Sequence, residues 1–179
     1  GIVTLLLYPF IAAIIKLSSP GPALFCQTRV GKNGRHFTIW KFRTMHLDSE
    51  KNGAQFTVDA KTDPRLFRAG RILRQLRLDE LPQIWNVFIG DLSFIGPRPE
   101  RPEFTAPLEE QMPYYKLRHL TRPGLTGWAQ VSYLIPTAVL EDNLRKLQYD
   151  LFYIKHRSLF LDALILLKTI GVVLRRQGT

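Results

Sequence analysis

The chain has 179 residues, 45% of them hydrophobic, which supports one domain with a sizeable core and excludes a disordered tract. A formal net charge of +10 points to an acidic partner (nucleic acid, anionic lipid or a phosphorylated substrate), with a solvated basic surface as the alternative reading. Cys26 is the single cysteine, which excludes an internal disulfide framework and a thiolate metal cluster, and His36, His46, His119 and His156 are too scattered for metal-ligand spacing.

Ile2 to Leu17 is almost wholly apolar, interrupted by Thr4, Tyr8, Pro9 and Lys16. As a helix it covers roughly 24 Å, short of the roughly 30 Å hydrocarbon core, so it does not span a bilayer alone. Ser18-Ser19-Pro20-Gly21-Pro22 ends or bends it, since each proline removes an amide donor and disfavours helix in the residue before it. A segment that turns back within the membrane fits, with serine hydroxyls capping the freed backbone groups at a Ser19-Pro20 break. A buried core helix followed by a turn, or a signal-peptide remnant, fits the same residues. The chain begins without methionine and is expected to be a piece of a longer protein.

Leu24 to Val30 and His36 to Phe42 read as strands joined by a hairpin turn at Gly31-Lys32-Asn33-Gly34. Phe37, Ile39 and Lys41 share one face, which places Lys41 on a rigid element. Asp48 to Thr62 is polar and turn-rich, a surface loop suited to act as a lid. Phe67 to Leu78 predicts a basic amphipathic helix, with Phe67, Ile72, Leu73 and Leu76 against Arg68, Arg71, Arg74 and Arg77, suited to a membrane surface or a phosphate site. An apolar helix over Leu81 to Ile89 ends at Gly90.

Prolines 97, 99, 102, 107 and 113 are expected to exclude long regular structure, apart from a short helix around Leu108 to Gln111. Arg122-Pro123-Gly124-Leu125-Thr126-Gly127-Trp128 reads as a rigid loop whose two glycines allow close backbone approach to a ligand. Leu140, Leu144, Leu147 and Leu151 form one stripe, predicting a helix over Val139 to Lys155 packed on the core. In the last helix, Ser158 to Arg176, the residues Ser158, Asp162, Thr169 and Arg176 fall in a narrow sector and nearly everything else is apolar, which requires deep burial or lipid. Arg175 and Arg176 suit the headgroup layer. Trp40, Trp85 and Trp128 are expected to be core or interface anchors, and Cys26 a small packed side chain.

The chemistry concentrates in Arg77-Leu78-Asp79-Glu80-Leu81-Pro82-Gln83 and the following loop, Gly90 to Pro99. Pro82 marks a helix start, so the paired carboxylates sit at a helix N-terminus in a basic neighbourhood. Adjacent helical residues diverge by about 100°. One carboxylate can therefore attack phosphorus as a nucleophile while the other holds a metal. Magnesium prefers one or two protein carboxylates plus substrate phosphates, a demand that Asp79 and Glu80 meet. Lys41, Arg74 and Arg98 supply charge for a pyrophosphate. A bare Asp-Glu pair is equally a solvated pair or a helix cap.

Five tracts stand in order: Ser19-Pro20-Gly21-Pro22, Lys41-Phe42-Arg43-Thr44-Met45, Leu78-Asp79-Glu80-Leu81-Pro82-Gln83, Gly90-Asp91-Leu92-Ser93-Phe94-Ile95-Gly96-Pro97-Arg98-Pro99, and Pro123-Gly124-Leu125-Thr126-Gly127-Trp128-Ala129-Gln130. Together they resemble the bacterial sugar transferases, monotopic polyprenyl-phosphate sugar-1-phosphate transferases, over nearly the whole chain. The resemblance implies a mixed α/β, mainly helical fold. It comprises a re-entrant membrane helix over residues 1–22, a catalytic core with a short β-hairpin and amphipathic interfacial helices over 23–157, and an apolar interfacial helix over 158–179.

It also implies an enzyme on the cytosolic face of the bacterial inner membrane that starts exopolysaccharide, capsule, O-antigen or glycoprotein glycan synthesis. Such an enzyme uses magnesium to transfer a sugar-1-phosphate from a nucleotide diphosphosugar, usually uridine-linked, to undecaprenyl phosphate. Asp79 would be the nucleophile and Glu80 its metal-supporting partner; Lys41, Arg74 and Arg98 would bind phosphate, and Ser19 and Pro20 would break the membrane helix. The roles of Tyr149-Asp150 and of Val131 to Ala138 stay open, and a homo-oligomer is compatible with the sequence. A noncatalytic basic scaffold at an anionic membrane surface is the rival reading. A nucleic-acid partner is not expected, because neither a stacking aromatic set nor a recognition helix stands out.

Overall fold

The computed structural model describes residues 2–51, 53, 62–133 and 139–175. Most of the expected Asp48–Thr62 lid, part of the Val131–Ala138 stretch and Arg176 lie outside them.

Helix α1 (Ile2–Ser18) runs through Pro9 and buries Ile11 and Ile15 against Phe42, Phe67 and Leu73, while Leu5, Leu6, Phe10, Ile14 and Leu17 stay exposed. The helix stops where expected, at Ser19-Pro20, and the chain passes straight into β1 (Leu24–Val30). Arg43 closes the break: its guanidinium donates to Ser19 Oγ at 2.8 Å, to Ser19 O at 2.8 Å and to Pro22 O at 2.6 Å. A helix end preceding two prolines leaves carbonyls without intrahelical donors, and one arginine fork supplies three.

Strand β1 pairs antiparallel with β2 (His36–Phe42) in the register Leu24 to Phe42 through Val30 to His36. The connecting turn places Asn33 and Gly34 at φ 56° and 73°, the left-handed conformation that asparagine and glycine tolerate best. Cys26 is exposed rather than packed, on the same face of β1 as the exposed Thr28.

Helix α2 (Arg68–Gln75) is shorter than expected and its buried face is narrower: Gly70 and Leu73 pack inward behind Phe67, whereas Ile72 and Leu76 point outward. Gly70 explains the difference, because a Cβ there would lie 2.1 Å from Thr44 O, so the helix presses its glycine directly on the backbone that leaves β2. Helix α3 (Gln83–Ile89) ends at Gly90 with φ 89°. Asn86 on α3 is fully buried, accepting from Trp40 N and donating to Thr38 O, which fastens α3 to the free edge of β2.

A short parallel ladder that the sequence did not announce joins β3 (Ser93–Ile95) to β4 (Gly124–Thr126). Helix α4 (Pro102–Gln111) is also longer than expected, because Pro102 occupies the first turn, where no amide donor is needed, and Pro107 is absorbed within the helix. After α5 (Trp128–Ser132) come α6 (Leu140–His156) and α7 (Leu159–Leu174), close to the expected bounds. On the leucine stripe of α6, Leu147 is buried with Met112 and Tyr115, whereas Leu140 and Leu144 are exposed.

The polar sector of α7 faces the protein. Tyr153 Oη donates to Asp162 at 2.9 Å, and Thr169 pairs with Thr126 at 2.7 Å. The opposite face exposes Leu159, Phe160, Leu167, Ile170 and Leu174, so α7 is not a deeply buried helix. Trp85 and Phe88 on α3 are likewise exposed and stacked on each other. Among the described residues no helix is long and apolar enough to cross a membrane.

Candidate active site

Arg77 adopts a left-handed conformation, φ 58° and ψ 16°, which stops the α2 run and turns the chain into a short 3-10 turn over Leu78–Glu80. Pro82 then starts α3. Because the reversal is so tight, Asp79 is swung inward to 5% exposure while Glu80 opens towards the basic strand opposite. Both carboxylates line a cavity of about 570 Å³ together with Lys41, Arg74, Arg77 and Arg98. All five catalytic and phosphate-binding candidates read from the sequence therefore meet at one place. Ser19 and Pro20 do not line it: Ser19 is buried against Arg43 and Pro20 is exposed.

The two carboxylates have opposite surroundings. Glu80 Oε1 accepts from Lys41 Nζ at 3.1 Å and from Arg98 at 3.2 Å, and Arg77 stands 3.6 Å from Oε2. Burial opposes its ionisation, but Lys41, Arg98 and Arg77 together hold Glu80 well below the usual carboxylate range. Among the described residues Asp79 Oδ1 is buried with no hydrogen-bond partner. Burial first, and then the charge of Glu80, push its carboxyl up to about 6 against the pull of Lys41, Arg74 and Arg77. Burial also lowers Lys41 and Arg74, each opposed by the acidic pair.

Arg98 belongs to a loop whose prolines, Pro97 and Pro99, have no amide hydrogen to offer. The loop is held instead by its carbonyls. Pro97 O accepts from Gly124 N at 2.9 Å, Arg98 O from Arg118 at 3.0 Å, Pro99 O from Arg29 at 3.0 Å, and Glu100 O from Val30 N at 3.0 Å. Gly124 and Gly127 serve this same contact rather than an approach to ligand: a Cβ on Gly124 would meet Gly96 N at 2.1 Å, and one on Gly127 would meet Gly96 O at 2.2 Å.

Several cavity residues carried no assigned role in the sequence. Arg43 follows Lys41 by two positions, just past the end of β2, so continued alternation of the extended chain brings it to the cavity side that Lys41 faces. Arg118, Lys146, Glu100 and Asp150 also line the cavity; Lys146 and Asp150 are four apart on α6 and so share one helix face, whereas no short-range pattern ties them to Glu100 or Arg118. Among the described residues no group of three or more His, Cys, Asp or Glu side chains is arranged to hold a metal by itself. The unpartnered Asp79 Oδ1 fits a magnesium ion completed by substrate phosphates, whereas both Glu80 oxygens already face cations.

The family described as bacterial sugar transferase matches residues 1–176. The UDP-N-acetylgalactosamine-undecaprenyl-phosphate N-acetylgalactosaminephosphotransferase of Aeromonas hydrophila is 50% identical over 167 residues, which are 93% of this chain and 39% of that protein. The undecaprenyl-phosphate glucose phosphotransferase of Komagataeibacter xylinus is 45% identical, over 92% of this chain and 31% of that protein. The exopolysaccharide production protein PSS of Rhizobium leguminosarum bv. phaseoli is 42% identical, over 93% of this chain and 85% of its own length. The chain thus spans well under half of the first two relatives and most of the third. With its paired carboxylates, its basic cavity and a match over nearly its entire length, the chain belongs to the bacterial sugar transferase family.

Proposed function

We propose that this chain transfers a sugar-1-phosphate from a UDP-sugar to undecaprenyl phosphate through a covalent intermediate on Asp79. The observation that carries the reading is a buried carboxylate oxygen without a partner, in a cavity whose other charged walls are mostly cationic. The relatives from Aeromonas and Komagataeibacter, both named as undecaprenyl-phosphate sugar phosphotransferases, support the reaction class.

In the first displacement an Asp79 oxygen bonds to the phosphorus that carries the sugar. The bond from that phosphorus to the bridging oxygen breaks, and the bridging oxygen leaves with its electron pair on uridine monophosphate. In the second, a phosphate oxygen of undecaprenyl phosphate bonds to the same phosphorus, and Asp79 departs as a carboxylate. No proton has to move in either step. Lys41, Arg74 and Arg98 stabilise the phosphate oxygens, and Glu80 fixes where Lys41 and Arg98 point. Magnesium, held by Asp79 and the donor phosphates, would neutralise charge on those oxygens.

The donor is soluble and the acceptor is a lipid, so the cavity is assigned to the cytosolic face of the bacterial inner membrane. The exposed apolar faces of α1, α3 and α7, with anionic lipid balancing the basic surface, support a monotopic placement.

The test is release of uridine monophosphate from UDP-sugars by detergent-solubilised protein, followed by intact mass analysis. The expected result is nucleotide release before acceptor is added and a phosphosugar mass on Asp79, both absent in Asp79→Asn. A protein that binds anionic vesicles yet releases no nucleotide from a panel of UDP-sugars is a scaffold, and the proposal falls.

A further inference from the structure

Asp150 and Arg118 form a second buried ionic group, separate from the acidic pair but opening on the same cavity. Asp150 Oδ2 accepts two hydrogen bonds from Arg118, from Nε at 3.0 Å and from a terminal nitrogen at 2.8 Å. Arg118 gives a further bond to Tyr115 Oη at 2.8 Å and one to the main-chain oxygen of Arg98 at 3.0 Å. Both side chains are almost completely buried.

A buried ion pair gains little stability over a well-packed apolar pair, so its presence needs another reason. The fourth bond of Arg118 supplies one. Arg98 lies between two prolines, and anchoring its carbonyl fixes the backbone from which its side chain departs. That side chain ends on Glu80 Oε1 at 3.2 Å. The path therefore runs from α6 through Asp150 and Arg118 to the Arg98 backbone, and from the Arg98 guanidinium to the acidic pair. Lysine offers no planar fork, so it cannot hold Asp150, Tyr115 and Arg98 O together.

We propose that Arg118, oriented by Asp150, is a positioning residue that sets the Arg98 guanidinium against Glu80 and the donor phosphates. This rests on the transferase reading given above. It explains why an aspartate on α6, 71 positions beyond Asp79 in the numbering, lines the catalytic cavity without reaching the acidic pair.

The test is a double-mutant cycle on nucleotide release with Arg118→Lys, Arg98→Ala and the double variant, read together with crystal structures of the variants. Misplacing a phosphate-binding group by about 1 Å costs up to roughly a hundredfold, so Arg118→Lys is expected to slow the first displacement tenfold or more with a smaller change in donor KM. In the Arg98→Ala background the same substitution should cost less than about twofold. Equal losses in both backgrounds, or an unchanged rate, overturn the proposal. Should Arg118→Lys fail to fold, Asp150→Asn takes its place in the cycle with the same expectations. The variant structure provides a readout free of turnover: the Arg98 guanidinium should leave hydrogen-bonding reach of Glu80, and an undisturbed contact sinks the inference even if the wild type proves inactive. Absence of nucleotide release by the wild type itself counts against the transferase reading alone.

Discussion

Asp79 and Glu80 are neighbours in the chain and are driven in opposite directions: Glu80 is held by Lys41 at 3.1 Å and Arg98 at 3.2 Å, while Asp79 Oδ1 is buried without a partner. The cations that surround the pair serve Glu80 first. Asp79 is left with the cost of burial and the repulsion of its neighbour, which makes it the more basic and the less satisfied carboxylate.

With its carboxyl pushed up to about 6, Asp79 loses its nucleophilic form as pH falls through that value. The kcat/KM for nucleotide release reports the free enzyme, before the donor phosphates bring magnesium to Asp79, and should therefore show an acidic limb near pH 6. Glu80→Gln removes a charge that raises Asp79, so the limb should move to lower pH even as the rate drops through misplaced Lys41 and Arg98. A pH series on both proteins checks this, and a limb that stays put separates it from Asp79.

The same shift has a consequence for stability. A carboxyl raised above its unfolded value favours the folded state at low pH, and this contribution fades as pH rises from about 4 through about 6. At pH 7.5 the ionised Asp79 therefore costs on the order of 1–3 kcal/mol. Asp79→Asn should abolish transfer yet raise Tm at pH 7.5, with the gain shrinking below pH 5. Melting curves at the two pH values give the answer, and a lower Tm for the variant at pH 7.5 contradicts it.

Gly124→Ala should be severe. The added methyl would sit 2.1 Å from Gly96 N and 2.5 Å from Thr126 O, backbone atoms that cannot turn aside. A loss on the order of 3 kcal/mol or more is expected, together with loss of the Arg98 loop geometry. Gly34→Ala meets nothing within 4 Å, and its φ of 73° should cost only about 1 kcal/mol. Chemical denaturation of the pair measures the contrast.

Arg43→Lys should loosen the end of α1. Lysine cannot serve Ser19 Oγ, Ser19 O and Pro22 O together, and two of these acceptors are backbone carbonyls at a break that cannot form its own bonds. A loss of about 2 kcal/mol is expected, with faster protease cleavage between Ser18 and Pro22. Unchanged proteolysis would separate Arg43 from the break.

The hairpin, the apolar termini, the proline break after Ser18 and the acidic pair were all legible in the sequence, because each is encoded by neighbours: strand alternation, a turn-forming tetrad, prolines that remove donors, and residues adjacent in the chain. The five charged candidates could be named for the same reason, since Lys41, Asp79, Glu80 and Arg98 each sit in a short tract and Arg74 on the basic face of a short amphipathic run. What no local pattern carries is which charges meet. Only the tertiary structure brings Lys41 and Arg98 to Glu80 rather than to Asp79, stacks Gly124 on Gly96, and joins Asp150 to Arg118 across 32 positions. Electrostatic partnership is set by distance and burial. Both emerge only when the chain closes on itself, and in this family member they decide which of two adjacent carboxylates is left unsatisfied.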